Sequence, residues 1–271
     1  MDREADRSPR LTPRVDILGV RISTINLDIA VATIGDWISS GAREYVCVTG
    51  VHGVMESRED PELMRIHNES GLTTPDGMPL VWCAKYAGAS WTERVYGPDL
   101  MLRLCAESVT RGWSHFFYGA GPGVAEDLAK ALASKFPGLE VAGVLTPLFR
   151  APTDQEAQET VRIITESGAS IVWVGLSTPK QERWMARFRD DLEAPVLIGV
   201  GAAFDIHAGR VAQAPSWVQR SGLEWSFRLV HEPRRLWRRY FRAIPAFIRE
   251  ILITPPRLVD SIEDHPPVTA L

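Results

Sequence analysis

Three short strings put polar, reactive side chains where an apolar run gives way to a loop and then a helix. They are Thr74-Pro75-Asp76-Gly77, the run from Gly175 to Glu182 that contains Pro179, Lys180 and Gln181, and Gly201-Ala202-Ala203-Phe204-Asp205. Val172, Trp173 and Val174 lead into the second, and Val196 to Val200 lead into the third. In an open parallel sheet, ligands collect in the crevice beyond the carboxyl ends of the strands. Packing alone would select apolar residues there, whereas this chain places Asp76, the Gln181-Glu182 pair and Asp205. A carboxylate held at a strand end can take the proton from an attacking hydroxyl, which makes Asp76 a candidate general base. Aspartate before glycine is also a common turn pair, so the local string supports either reading. Glu182 can equally be a first-turn acid that complements a helix dipole, and Lys180 reads as solvated.

Two further motifs suggest anions. Gly119-Ala120-Gly121-Pro122-Gly123 follows the strand His115–Tyr118 and opens a helix. Such a turn lets backbone amides approach a phosphate, which makes Gly119 and Gly121 candidates for nucleotide contact. The dinucleotide fingerprint is incomplete, because its third glycine position holds Val124 and the next strand, ending near Leu145, supplies no acid for a ribose. That argues against a nicotinamide cofactor. The second motif is the set Arg228, Arg235 and Arg238, at helical spacing. It reads as a solvated face or as a phosphate clamp, for which paired guanidinium hydrogen bonds are suited. No Asp-x-Asp string and no metal-spaced cluster occurs, so neither metal nor organic cofactor is expected.

The elements that position these groups follow from the hydropathy pattern. Strand-like runs at 15–22, 45–49, 72–74, 115–118, 140–145, 170–176 and 195–200 alternate with helical periodicity at 28–39, 61–68, 78–86, 99–110, 124–136, 154–167 and 180–190. Continuous apolar strands alternating with helices predict an α/β fold: a Rossmann-like, mostly parallel sheet with helices on both faces. After Pro215 the pattern is helical only, which predicts a C-terminal helical appendage over 214–254 beyond an α/β catalytic domain at 14–213. In the appendage Leu236, Trp237, Tyr240, Phe241, Ile244, Phe247, Ile248 and Ile251 form an apolar stripe, and Pro245 is expected to kink the helix. Residues 1–13 and 255–271 are charged or proline-rich and read as disordered.

A hydrophobic content of 45% and a charged content of 24% describe an ordinary soluble globular chain of 271 residues. Its net charge of −4 conceals an asymmetry: from Arg220 to Arg249 there are eight arginines against Glu224 and Glu232. A basic element on an acidic body suits an anionic partner. Cys47, Cys83 and Cys105 lie in apolar surroundings without metal-ligand spacing and read as buried thiols of a reducing compartment. The N-terminus has no apolar secretory core, and no run of about eighteen apolar residues exists to span a bilayer.

The three strings, followed by Gly222-Leu223-Glu224-Trp225-Ser226-Phe227-Arg228-Leu229 and Glu232-Pro233-Arg234-Arg235-Leu236, resemble the WecG/TagA/CpsF family of bacterial glycosyltransferases. The resemblance runs in order from roughly Asp16 to Tyr240. It implies an inverting, metal-independent transfer of N-acetylmannosamine, its uronic acid or glucose. The donor would be a UDP-sugar, and the acceptor a sugar linked to undecaprenyl diphosphate in surface or exopolysaccharide synthesis. On that resemblance Asp76 is the base, Gln181 and Glu182 line the donor pocket, and Asp205 binds a ribose, a uracil edge or a sugar hydroxyl. The Gly119–Gly123 loop lies near the nucleotide. Arg228, Arg235 and Arg238 fold over the pocket to stabilise the departing diphosphate. Thr49 and His52 follow the strand at 45–49, and from that position either reads as a sugar contact, His52 with a proton-shuttle role; the local pattern equally allows a helix cap and a surface histidine. The chain departs from the family beside Thr49, where many members carry asparagine and this chain has Gly50 and Val51, and at Gln213, where arginine is frequent. These departures leave the donor sugar open.

Two other readings compete: a nicotinamide-dependent oxidoreductase on a similar sheet, and a non-catalytic nucleic-acid module using the arginine-rich segment. A basic helix with an apolar stripe suits lipid better than a duplex, so no nucleic-acid partner is expected. The expected location is the inner face of the cytoplasmic membrane, bound peripherally, and a homo-oligomer is left open. A chain ending near Ser221 is expected to keep its fold.

Overall fold

The computed structural model describes residues 12–148, 150, 152–231 and 233–259, without the side chains of 216, 220, 234–236 and 238–240. In chain order the elements begin with β1 (Arg14–Ile17), β2 (Val20–Ser23), α1 (Leu27–Ser40), β3 (Glu44–Thr49), α2 (Val51–Glu59), α3 (Pro61–Glu69) and β4 (Leu72–Pro75). There follow α4 (Met78–Tyr86), α5 (Gly97–Arg111), β5 (Ser114–Gly119), α6 (Val124–Lys135), β6 (Glu140–Leu145), α7 (Asp154–Glu166) and β7 (Ile171–Gly175). The chain continues through α8 (Lys180–Phe188), β8 (Val196–Gly199), α9 (Ala203–His207), α10 (Ser216–Arg220), α11 (Glu224–His231), α12 (Pro233–Ile253) and β9 (Arg257–Val259).

Six strands form one sheet in the order β4-β3-β8-β7-β5-β6, and every pairing is parallel. Its central strands are apolar throughout because helices cover both faces: Val172, Trp173, Val174, Leu197 and Ile198 are fully buried. On one face Val46, Phe117, Trp173 and Phe204 pack with α1, α5 and α6; on the other Tyr45, Phe116, Val172 and Leu197 pack with α3, α7 and α8. Fully burying such a side chain stabilises the fold by about 1.5–3 kcal/mol. The Trp173 indole donates to His115 Nδ1 at 2.9 Å, and burial pushes His115 down to about 4, so it stays a neutral acceptor. The three cysteines are free and buried, as read.

The α/β reading therefore stands, with three corrections. The run 15–22 is two strands, β1 and β2, paired antiparallel around a two-residue turn in which Leu18 and Gly19 have φ of 56° and 92°. A Leu-Gly turn lacks the usual Asn-Gly signature, so the hairpin reads as one strand. A helix, α2, follows β3 directly, where the pattern at 51–59 shows little amphipathic periodicity.

The third correction concerns the termini. Arg257–Val259 forms β9, which pairs with β1 in a separate three-stranded antiparallel sheet. At the other end, the Pro13 carbonyl accepts both the amide and the hydroxyl of Thr24. Phe247 of α12 is 5% exposed and packs with Val15, Ile17, Val54 and Leu80, and Arg58 of α2 pairs with Glu250 at 2.8 Å. Ending the chain near Ser221 would strip this core, so the C-terminal segment is not a detachable body. Residues 1–11 and 260–271 lie outside the described ones.

Candidate active site

The carboxyl ends of β3, β4, β7 and β8 open into a cleft of about 930 Å³, roofed by α10, α11 and α12. Asp76 stands in it immediately after β4. Its amide donates to the Thr49 carbonyl at 2.9 Å, which extends the β3–β4 pairing and fixes where the side chain begins. Asp76 Oδ1 accepts from the Gly97 amide at 3.4 Å, the first residue of α5, so a helix N-terminus faces the carboxylate. Burial nevertheless pushes its pKa up to about 6; Arg94 opposes the rise, Glu224 adds to it, and Arg228 and the Gly97 amide oppose it. Such a group is ionised at neutral pH and still basic enough to take a proton.

Gln181, Asp205, His52 and Arg228 line the same cleft as Asp76, together with Ser177, Thr178 and Gly201. Gln181 is 3% exposed; its Nε2 donates to Glu182 Oε1 at 3.1 Å, and its Oε1 has no partner among the described residues. An orphaned acceptor on the wall of a cleft suits an N–H or O–H donor of a bound ligand. Glu182 is fully buried behind Gln181 and does not line the cleft; its Oε1 also accepts from Thr178 Oγ1 at 2.8 Å, and burial raises its pKa. Glu182 thus fixes Gln181 and Thr178. His52, in the first turn of α2, is half-buried and lies 3.4 Å from Glu56. Asp205 enters from α9, and its carbonyl anchors the following turn by accepting from the amides of Arg210 and Val211.

Two groups of expected site residues, Thr49 and the Gly119–Gly121 pair, are placed differently. Thr49 is 2% exposed and turned away from the cleft, its Oγ1 at 2.8 Å from His67 Nε2. His67 Nδ1 meets the Leu63 carbonyl at 2.9 Å, which can only accept, so Nδ1 carries the proton and Nε2 accepts from the threonine hydroxyl. Burial lowers the pKa of His67 and keeps it in that neutral form. Thr49 is therefore a buried support beneath Asp76. Gly119 and Gly121 also lie outside the cleft lining, because β5 is separated from β3 by β7 and β8. At Gly119, φ is 125° and a Cβ would stand 2.8 Å from the Gly175 backbone, while the Ala120 amide donates to the Gly175 carbonyl at 2.8 Å. That glycine serves the contact between two strand ends. The side chains of Arg235 and Arg238 fall outside the described residues, although both belong to α12.

Sequence reasoning missed Arg94, Tyr96 and Gln219, which also line the cleft, and gave Glu224 no role. Arg94 Nε donates to the Asp76 carbonyl, its other nitrogens reach Glu224 and Gln219, and its guanidinium lies 3.9 Å from the Tyr96 ring centroid. Burial drives the Tyr96 hydroxyl far above its ordinary pKa and keeps it protonated. The only signal in the sequence was an arginine close to Pro98 and the start of α5. Gln213, one of the departures, hydrogen-bonds Asp99. The far side of the cleft is apolar: Trp82 and Tyr86 of α4 face Ile244, Phe247, Ile248 and Ile251 of α12. Gly222 lets α10–α11 approach α4 there, since a Cβ would stand 2.7 Å from Trp82 and its φ is 76°.

The sequence profile of the glycosyl transferase WecG/TagA/CpsF family matches residues 15–258. Over 197 residues the chain is 30% identical to the N-acetylglucosaminyldiphosphoundecaprenol N-acetyl-beta-D-mannosaminyltransferase of Bacillus spizizenii, covering 73% of this chain and 74% of that relative. Over 235 residues it is 28% identical to the protein of the same name from Bacillus subtilis, covering 87% and 80% respectively.

Proposed function

Because the chain belongs to the WecG/TagA/CpsF family of glycosyltransferases, we propose that it transfers N-acetylmannosamine from a UDP-linked donor to N-acetylglucosaminyl-diphospho-undecaprenol. An acceptor hydroxyl attacks the anomeric carbon as Asp76 removes its proton. The carbon–oxygen bond to the diphosphate breaks, and UDP leaves with the electron pair while the configuration inverts. Gln181 and Asp205 hold the donor, and Arg228 offsets the charge that develops on the departing diphosphate. What supports this reading is Asp76: a carboxylate with a pKa near 6 at the mouth of β4, sharing one cleft with Gln181, Asp205 and Arg228. The oxidoreductase and nucleic-acid readings are not favoured.

The apolar wall formed by α4 and α12 suits the lipid end of such an acceptor. Among the described residues no helix is long and apolar enough to cross a membrane. Trp237, Phe241, Ile248, Leu252 and Ile253 are nevertheless exposed on α12. We place the protein at a membrane surface through this helix, where exposed aromatic and aliphatic groups insert at the interface. The test is UDP release from a panel of UDP-sugars with the lipid-linked acceptor. Release that requires both UDP-N-acetylmannosamine and the acceptor is expected; release with another UDP-sugar alone would overturn the donor assignment.

A further inference from the structure

One side chain ties the roof of the cleft to the residue that does its chemistry. Arg94 Nε donates to the Asp76 carbonyl, a terminal nitrogen donates to Glu224 at the start of α11, and the other donates to Gln219 Oε1 of α10 at 3.2 Å. The guanidinium stacks on Tyr96, whose hydroxyl also bonds Glu224. The side chains of Arg94 and Glu224 are each only 14% exposed. A planar fork with five donors meets these three acceptors through three separate nitrogens held in one plane, whereas a lysine's three donors diverge from a single nitrogen.

We propose that Arg94 is a positioning residue that clamps α10–α11 onto the Asp76 main chain, so that the wall carrying Arg228 closes over the base only while the Arg94–Glu224 pair is formed. The proposal rests on Asp76 being the base. Its geometry is economical: the clamp holds the carbonyl of residue 76, leaving the carboxylate free for substrate. The charged and titratable groups around that carboxylate are Arg94 and Tyr96 on the loop before α5, Asp99 on α5, Glu224 and Arg228 on α11, His52 on α2 and Asp205 on α9.

The base works only when ionised, so activity of the native enzyme falls as pH drops through about 6. Glu224→Gln removes an anion that raises the Asp76 pKa, and opening the wall admits water, which lowers it again. Opening the wall also withdraws Arg228, whose charge holds the Asp76 pKa down, so these effects oppose one another and the clamp is read from exchange and turnover instead.

The experiment is amide hydrogen exchange on the full-length protein, together with kcat and KM for UDP release. In Arg94→Met and in Glu224→Gln, peptides covering 219–231 are expected to exchange at least about tenfold faster, and the double variant no faster than either single one. Asp76→Asn is expected to keep native exchange there, because the clamp uses the carbonyl. Native exchange in both single variants, or a loss of activity carried by KM alone with kcat at the native value, would overturn the clamp. Glu224→Gln, isosteric with the native side chain, carries the test should Arg94→Met not fold. If Asp76→Asn keeps full turnover, the base assignment fails, while the exchange data still decide the clamp.

Discussion

The turns after β4 and after β5 look alike in the sequence: each follows a buried strand, has glycine and proline within a few residues, and opens a helix. They have different work. The β4 loop delivers Asp76 into the cleft, beside the α5 N-terminus and under α11. At the end of β5, Gly119 lies against the Gly175 backbone, and no residue from Gly119 to Gly123 lines the cleft. What separates them is strand order, since β4 and β3 stand on one side of β8 and β5 stands beyond β7. A short motif specifies a backbone conformation; the sheet decides whether that conformation meets a ligand.

Substitutions at these two ends should separate stability from chemistry. The largest effect on stability is expected at Gly119→Ala, which combines a φ of 125° with a Cβ 2.8 Å from backbone that cannot move aside. A loss of roughly 3 kcal/mol or more follows from strain and overpacking, read as a fall in the chemical-denaturation midpoint. A loop that served only the nucleotide would instead lose donor affinity at native stability. Asp76→Asn should shift stability the other way. The folded pKa of about 6 lies above the ordinary value of 3.8, so the stability linked to this group is full below pH 4 and lost as pH rises through 6. Removing the charge is expected to stabilise the fold at pH 7.5 by on the order of 2 kcal/mol, and to change little at pH 4. The smallest effect is expected at Thr49→Val, which leaves His67 Nε2 without its hydroxyl donor. Denaturation should show a loss of about 1 kcal/mol, with kcat within a few-fold of native; a selective collapse of kcat would return Thr49 to the chemistry.

The parallel sheet, the strand ends and Asp76, Gln181 and Asp205 were legible because apolar strands and polar strand ends leave local patterns. The clamp was not: Arg94 lies 130 positions from Glu224, and no periodicity links them. Nor was the inward turn of Thr49, because one residue of strand rotation decides between the cleft and His67. The tail at 257–259 reads as disordered by composition, and only its antiparallel pairing with β1 gives it order.

The central claim is that Asp76 removes the acceptor proton during sugar transfer. The most direct test is the rate of acceptor-dependent UDP release from UDP-N-acetylmannosamine at pH 7.5, native against Asp76→Asn, with both proteins shown folded by their exchange patterns. The account predicts a fall of about 10² to 10⁴ in kcat with donor affinity kept. A kcat within threefold of native would contradict it.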